Sequence, residues 1–216
     1  TGDIDFERET AVELLVETAR LWRSLGHHDP HGVFHIDGVT GPDEYSAVVD
    51  DNTYTNLMAR SNLLAAADVC ERHPEEAARL GVNEEESAAW RDAAEAVHIP
   101  PYNEEIGVHE QHAGFTHHQR WDFANTRADQ YPLMLHFPYF DIYRKQVIKQ
   151  SDLVLAMYTC GTWFDAHCDE EQLAANFAYY EPLTVRDSSL SACCQAVVAA
   201  RTGICGWPTT TPPRPR

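Results

Sequence analysis

The chain has 216 residues, and 16 Lys and Arg against 34 Asp and Glu give it a formal net charge of −18. Positive charge gathers in no segment, which speaks against nucleic acid and anionic membranes as partners, and no run of about 18 apolar residues offers a membrane span. The first residues lack a basic-then-apolar signal pattern, so a cytoplasmic location is expected, and Cys70, Cys160, Cys168, Cys193, Cys194 and Cys205 form no Cys-x-x-Cys pair, so mostly buried, reduced thiols are expected in place of disulfides or zinc.

Residues 9–24 put Val12, Leu15, Val16, Ala19 and Trp22 on one face, with Glu13, Glu17, Arg20 and Arg23 opposite, which predicts an amphipathic helix ended by Gly26. A His, Gly and Pro loop over 26–44 leads to a second predicted helix over 53–72, through Tyr54, Leu57, Met58, Ser61, Leu64, Ala65 and Val69. Pro74 starts a short helix that Gly81 closes, and Asn83 with Glu86 forms a capping pair for a helix through Val97. Residues 98–143 are rich in prolines, aromatics and histidines and show no sustained period; so long a connection is more often functional than idle. Helices are predicted over 145–158, over 169–177 after Asp169, and over 188–200 after Asp187, the last holding Cys193 and Cys194. Strand-like alternation is almost absent, so the fold class is all-α. Arg201 to Arg216, rich in Thr, Pro and Arg, shows no period.

Between the first two helices lies Gly38-Val39-Thr40-Gly41-Pro42-Asp43-Glu44-Tyr45. Two glycines and a proline make it a turn, and it places an acid where no core requires one. Val39 and Tyr45 are able to desolvate a carboxyl there, and a desolvated carboxyl can hold its proton near neutral pH and donate it. Spacing alone equally allows a loop in which Asp43 or Glu44 caps the next helix. Arg186-Asp187-Ser188-Ser189 offers a guanidinium, two hydroxyls and the N–H groups of a following helix, a set that suits an anion or serves as an ordinary cap. The histidines between His109 and His118 lack the His-Glu-x-x-His spacing, so no metal site is expected. Tyr102, Phe115, Trp121 and Phe123 are candidates for stacking on a sugar ring or for buried packing.

The turn and the Asn52-Thr53-Tyr54-Thr55-Asn56 that follows it resemble the signature of glycoside hydrolase family 65, the maltose, trehalose and kojibiose phosphorylases. Three further segments agree in the same order. Residues Asp5 to Arg8 and Glu17 to Trp22 resemble the helix before the acid loop. Ile148-Lys149-Gln150-Ser151-Asp152-Leu153-Val154 is similar to the family's Lys-Gln-Ala-Asp-Val stretch, and Tyr179 to Ser191 to its Tyr-Glu-Pro-x-Thr-x-His-Asp-Ser-Ser-Leu-Ser loop.

The resemblance implies a piece of an (α/α)6 barrel over residues 1–200, a ring of inner and outer helices, with residues 201–216 a disordered or frameshifted tail. It assigns the general acid to Glu44, glucosyl contacts to Lys149 and Gln150, and phosphate contacts to Arg186, Ser188 and Ser189. Arg186 stands where the family usually has His, and an arginine binds phosphate well. The implied reaction is inverting phosphorolysis of an α-glucosidic disaccharide to β-glucose 1-phosphate and glucose. Inorganic phosphate is the co-substrate, no cofactor is needed, and a homodimer is allowed for the full-length protein. The family places a loop near the acceptor sugar at His109 to His118. A shifted reading of the codons for Thr202 to Thr209 can encode Gly-His-Leu-x-Leu-Ala-Tyr-Asp, which resembles the family's continuation. One phosphate-contacting His and an aromatic-Asp part of the sugar pocket fall outside residues 1–216, so the chain as written is expected to fold poorly alone and to show no turnover. The alternatives are an inverting α-glucoside hydrolase, with Glu181 or Asp187 activating water, and a non-catalytic helical binding module.

Overall fold

The structure is a computed structural model that describes residues 2–185 and 187–203. Arg186 and the expected tail from residue 204 on, with Cys205, lie outside the described residues. The chain divides into two compact units, Thr1–Asp37 with Thr55–Ile99, and Gly38–Tyr54 with Pro100–Arg216.

In the first unit, α1 (Ile4–Phe6) passes through a π-helical turn (Glu7–Ala11) into α2 (Val12–Leu25). Val12, Val16 and Ala19 are fully buried, as their spacing predicts, while Leu14, Leu21 and Leu25 run along an exposed stripe of the same helix. The hairpin of β1 (His27–His28) and β2 (Phe34–His35) pairs His28 with Phe34 and leads to α3 (Thr53–Arg72). Leu57 and Val69 of the predicted α3 face are buried, but so are Ala59, Leu63, Ala66 and Cys70, while Ser61 is exposed, so the buried face is rotated from the predicted one. Pro74 occupies the first turn of α4 (Pro74–Arg79), and Gly81 follows with φ +74. Asn83 then caps α5 (Glu84–Ala96) by accepting from Glu86 N at 2.8 Å. Arg20 grips Glu86 with two bonds of 2.7 and 3.0 Å and reaches Leu80 O at 3.1 Å, fixing α2 against α5.

In the second unit, β3 (Tyr102–Asn103) and β4 (Val108–His109) form an antiparallel pair, and β5 (Gln119–Arg120) pairs in parallel with β6 (Lys145–Gln146), beyond the short α6 (Tyr139–Ile142). Four helices follow: α7 (Asp152–Thr159), α8 (Gly161–His167), α9 (Glu170–Tyr180) and α10 (Ser189–Arg201), with α7 packed on α9 and α10. Asp169 and Gln172 close a reciprocal cap on α9. The helix predicted over 145–158 therefore begins only at Asp152. Val147 and Ile148 are both fully buried, a run that suits extended chain enclosed on two sides. Ile148 bonds the Leu183–Val185 segment at 3.0 and 2.9 Å, so the backbone there is spent on ladder partners.

Of the four aromatics given as candidates for sugar stacking or buried packing, Phe115 and Trp121 are buried, and Tyr102 and Phe123 are half-buried. Phe115 is fully buried and stacks on Tyr180 with centroids 5.6 Å apart. Trp121 joins Tyr45, Leu133, Ile142 and Val147 in a cluster against which Phe123 packs, and Tyr102 sits edge-on to His109. Among the described residues five cysteines are free: Cys70 and Cys160 are buried, Cys168 and Cys194 half-buried and Cys193 exposed, where mostly buried thiols were expected. No helix of the described residues is long and apolar enough to cross a membrane.

Candidate active site

The residues singled out by sequence meet in the second unit. Glu44 lies at the tip of the turn, with its side chain 54% exposed, and forms an ion pair with Lys149 Nζ. The next residue, Gln150, donates from Nε2 to Pro42 O in the same turn and accepts from Ser188 Oγ at 2.9 Å. Both ends of that amide are engaged within the protein. Ser188 is the N-cap of α10, where its Oγ accepts from Leu190 N at 3.3 Å. It replaces Asp187 as the residue that starts the helix. Ser189 is exposed in the first turn, and Ser191 Oγ donates to Lys149 O at 2.9 Å. The acid, the lysine and the serine-rich helix start are thus joined by short hydrogen-bonded steps. Arg186 belongs to the undescribed residues.

The desolvated carboxyl of the turn is Asp43: it is wholly buried, and burial pushes its pKa up to about 6. Among the described residues, the bonds of neither acid cap the next helix. Asp43 Oδ1 accepts from Tyr45 N at 3.2 Å and Lys149 N at 2.8 Å, while Oδ2 accepts from Ser46 Oγ and Gln111 Nε2, both at 3.0 Å. Tyr45 points away from Glu44. Its hydroxyl donates to Asp187 Oδ2 at 2.6 Å and accepts from Met134 N at 3.3 Å, and Leu133 N reaches the same Asp187 oxygen at 3.0 Å. Burial and the neighbouring Asp187 carboxylate raise the Tyr45 phenol, which therefore stays protonated as a donor.

Beneath the turn lies a second buried carboxyl, Asp152, the first residue of α7. Its oxygens accept from Asp43 N at 2.6 Å and Asn52 Nδ2 at 2.7 Å. Burial, then the adjacent Asp43, raises its pKa well above the ordinary carboxylate range. Gly41 makes this approach feasible, since a Cβ there would overlap Asp152 Oδ2 and lie 2.7 Å from Asn52 Nδ2. Sequence reasoning missed Gln111, which bridges the two acids, and the link from Tyr45 to Asp187. Asn52 and Asp152 lay inside quoted motifs; Gln111 lay in the quoted His109–His118 stretch, where nothing marked it as a partner of the acids.

The histidine-rich stretch is held by internal bonds. His109 lies between Asn176, at 3.0 Å, and Cys168 Sγ, at 3.7 Å, and burial lowers its pKa while raising the Cys168 thiol to about 11. Burial likewise lowers His112, to about 4. Two neutral groups of this kind make a packed pair, not an activated nucleophile.

Residues 1–206 match the sequence profile of the glycosyl hydrolase family 65 central catalytic domain. An uncharacterized glycosyl hydrolase of Mycobacterium tuberculosis is 60% identical over 204 residues, covering 94% of this chain and 25% of that protein. An α,α-trehalose phosphorylase of Geobacillus stearothermophilus is 42% identical over 211 residues, covering 94% of this chain and 27% of the enzyme. The solved structure of a candidate kojibiose phosphorylase from the human microbiome superposes with a TM-score of 0.83 at 29% identity, over 94% of this chain and 30% of the other. The chain therefore spans about a quarter of the length of the curated relatives it matches. The helical fold is the one expected, all-α and part of an (α/α)6 barrel.

Proposed function

Because the chain belongs to glycosyl hydrolase family 65, we propose that it carries the proton-donating side of the active site of an inverting disaccharide phosphorylase. Glu44 gives its proton to the glycosidic oxygen as the bond to the anomeric carbon breaks, and a phosphate oxygen attacks that carbon from the opposite face. The products are β-glucose 1-phosphate and a free sugar. Glu44 is reprotonated from solvent or incoming phosphate. The observation that carries this reading is the junction itself: an exposed acid beside Lys149, tied through Gln150 to Ser188 at the start of α10. A helix start with serine hydroxyls favours an anion, and Arg186, next to Asp187 in sequence, adds a charge suited to phosphate. The names of relatives support a glucosyl disaccharide as substrate: trehalose, kojibiose and maltose phosphorylases all occur among them.

The competing reading is hydrolysis, favoured by the description of the Mycobacterium relative as a glycosyl hydrolase. An inverting hydrolase needs a second carboxylate to activate water. Of the two candidates, Glu181 is buried, and Asp187 already accepts from Tyr45 and Leu133. Phosphorolysis asks neither to act as a base. The test uses the full-length protein that carries this segment, with trehalose, maltose and kojibiose, each with and without phosphate. Glucose 1-phosphate formed only with phosphate supports the proposal; glucose released at the same rate without phosphate overturns it in favour of hydrolysis.

A further inference from the structure

Gln111 is fully buried, and its side chain completes a closed ring of hydrogen bonds beneath Glu44. Asp43 N donates to Asp152 Oδ1 at 2.6 Å, Asp152 N donates to Gln111 Oε1 at 3.0 Å, and Gln111 Nε2 donates to Asp43 Oδ2 at 3.0 Å. We propose that Gln111 is a positioning residue for proton transfer, holding Glu44 and Lys149 in register through Asp43 and Asp152. The proposal rests on the reading of Glu44 as the proton donor.

The ring governs both functional residues directly. Glu44 is the residue after Asp43, and Lys149 N is bonded to Asp43 Oδ1 at 2.8 Å, so a shift of the Asp43 carboxylate moves the acid and its lysine together. An amide is the side chain this place requires. It must donate to one carboxylate and accept from the backbone of the next, two roles that a carboxylate or an apolar group of similar length cannot both fill. It also keeps two buried acids side by side where, among the described residues, no lysine or arginine side chain is seen bonded to either, an arrangement that like charges alone oppose.

The main chain at Gln111 is equally fixed. Thr53 N donates to Gln111 O at 2.9 Å, and Thr53 Oγ1 donates to Glu110 O at 2.7 Å. Ser151 adds a further bond, its Oγ donating to Gln111 Oε1 at 3.2 Å, at the place where the family stretch quoted above carries Ala. Gln111 touches none of the groups proposed to meet substrate. Its effect passes through the geometry of Glu44, and displacing a reacting group by about 1 Å costs on the order of 10²-fold in rate.

The test measures the full-length protein with phosphate on two glucosyl donors: whichever of trehalose, maltose and kojibiose it splits, and α-glucosyl fluoride, whose leaving group depends far less on a proton donor. Gln111→Met is expected to lower kcat on the disaccharide by roughly 10- to 100-fold with KM changed less than about 3-fold, and to lower kcat on the fluoride by less than about 3-fold. Equal losses on both donors, or no loss on the disaccharide, overturn the proposal. Where Gln111→Met fails to fold, Gln111→Asn keeps an amide, shortens its reach to Asp43, and is judged by the same split. Glu44→Gln separates the two layers of argument. If it leaves the disaccharide reaction intact, the reading of Glu44 fails and takes this proposal with it. If it abolishes that reaction while Gln111 variants lose equally on both donors, the positioning role alone fails.

Discussion

Substituting Gly41 by alanine tests the packing beneath the turn most sharply. Its φ lies outside the left-handed region, so backbone strain contributes little, and the cost comes from contact. The new Cβ would overlap Asp152 Oδ2 and lie 2.7 Å from Asn52 Nδ2 and 2.9 Å from Asp152 Cγ. Asn52 and Asp152 are fully buried and bonded to each other at 2.7 Å, so neither retreats into solvent. Overpacking of this kind costs about 1–3 kcal/mol, and a disrupted hydrogen bond about 0.5–1.5 kcal/mol more. The sum, about 3 kcal/mol, lowers the melting temperature of a domain this size by roughly 6–12 °C. Gly38→Ala is the control in the same turn: it has open space but φ +65, so it carries backbone strain alone, worth about 1–2 kcal/mol. Thermal unfolding of the two variants beside the parent gives the comparison. A Gly41→Ala midpoint equal to or above that of Gly38→Ala would refute the close approach of Gly41 to Asp152.

Burial raises both Asp43 and Asp152, so the folded protein holds more protons than the unfolded chain above about pH 4; the stability tied to their neutral forms is complete below that pH and is lost as pH rises through about 6 and beyond. Asp152→Asn is expected to flatten the fall in urea midpoint between pH 6 and 9, and parallel slopes for parent and variant would contradict this. Tyr45→Phe removes the 2.6 Å bond to Asp187; it should destabilise by about 1–2 kcal/mol and raise the KM for phosphate more than that for sugar, read from initial rates. Arg20→Ala removes the paired bonds to Glu86, each side chain being about one-third exposed, and should cost about 1 kcal/mol in denaturant unfolding while leaving turnover unchanged.

Helix existence was legible wherever period and caps agreed. The Val12, Val16 and Ala19 stripe, Pro74, the Asn83 cap and the Asp169 cap all appear where the residues place them. Legibility failed where tertiary partners overrode local pattern. Residues 145–151 read as helix because Val147 and Ile148 join the apolar positions that follow, yet Ile148 finds its partners across the chain at Leu183 and Val185. For the site, the motifs singled out Glu44, Lys149, Gln150 and Ser188, and the structure brings these together. Which carboxyl of the Asp43–Glu44 pair is desolvated could not be read from the turn, because side-chain direction there depends on distant residues. Asp43 faces inward because Gln111 and Lys149 donate to it from far along the sequence. No local pattern encodes such a bond, and for the same reason Gln111 went unseen.

Glu44→Gln in the full-length protein tests the central claim most directly. The glutamine keeps the size of the exposed side chain and loses the transferable proton together with the charge that faces Lys149. The account predicts that phosphate-dependent release of glucose 1-phosphate from the disaccharide falls by about 10²- to 10⁴-fold, with the fold and the melting temperature unchanged. Retention of activity within about 3-fold of the parent, a loss too small for removal of a general acid, would contradict the assignment of Glu44 as the proton donor.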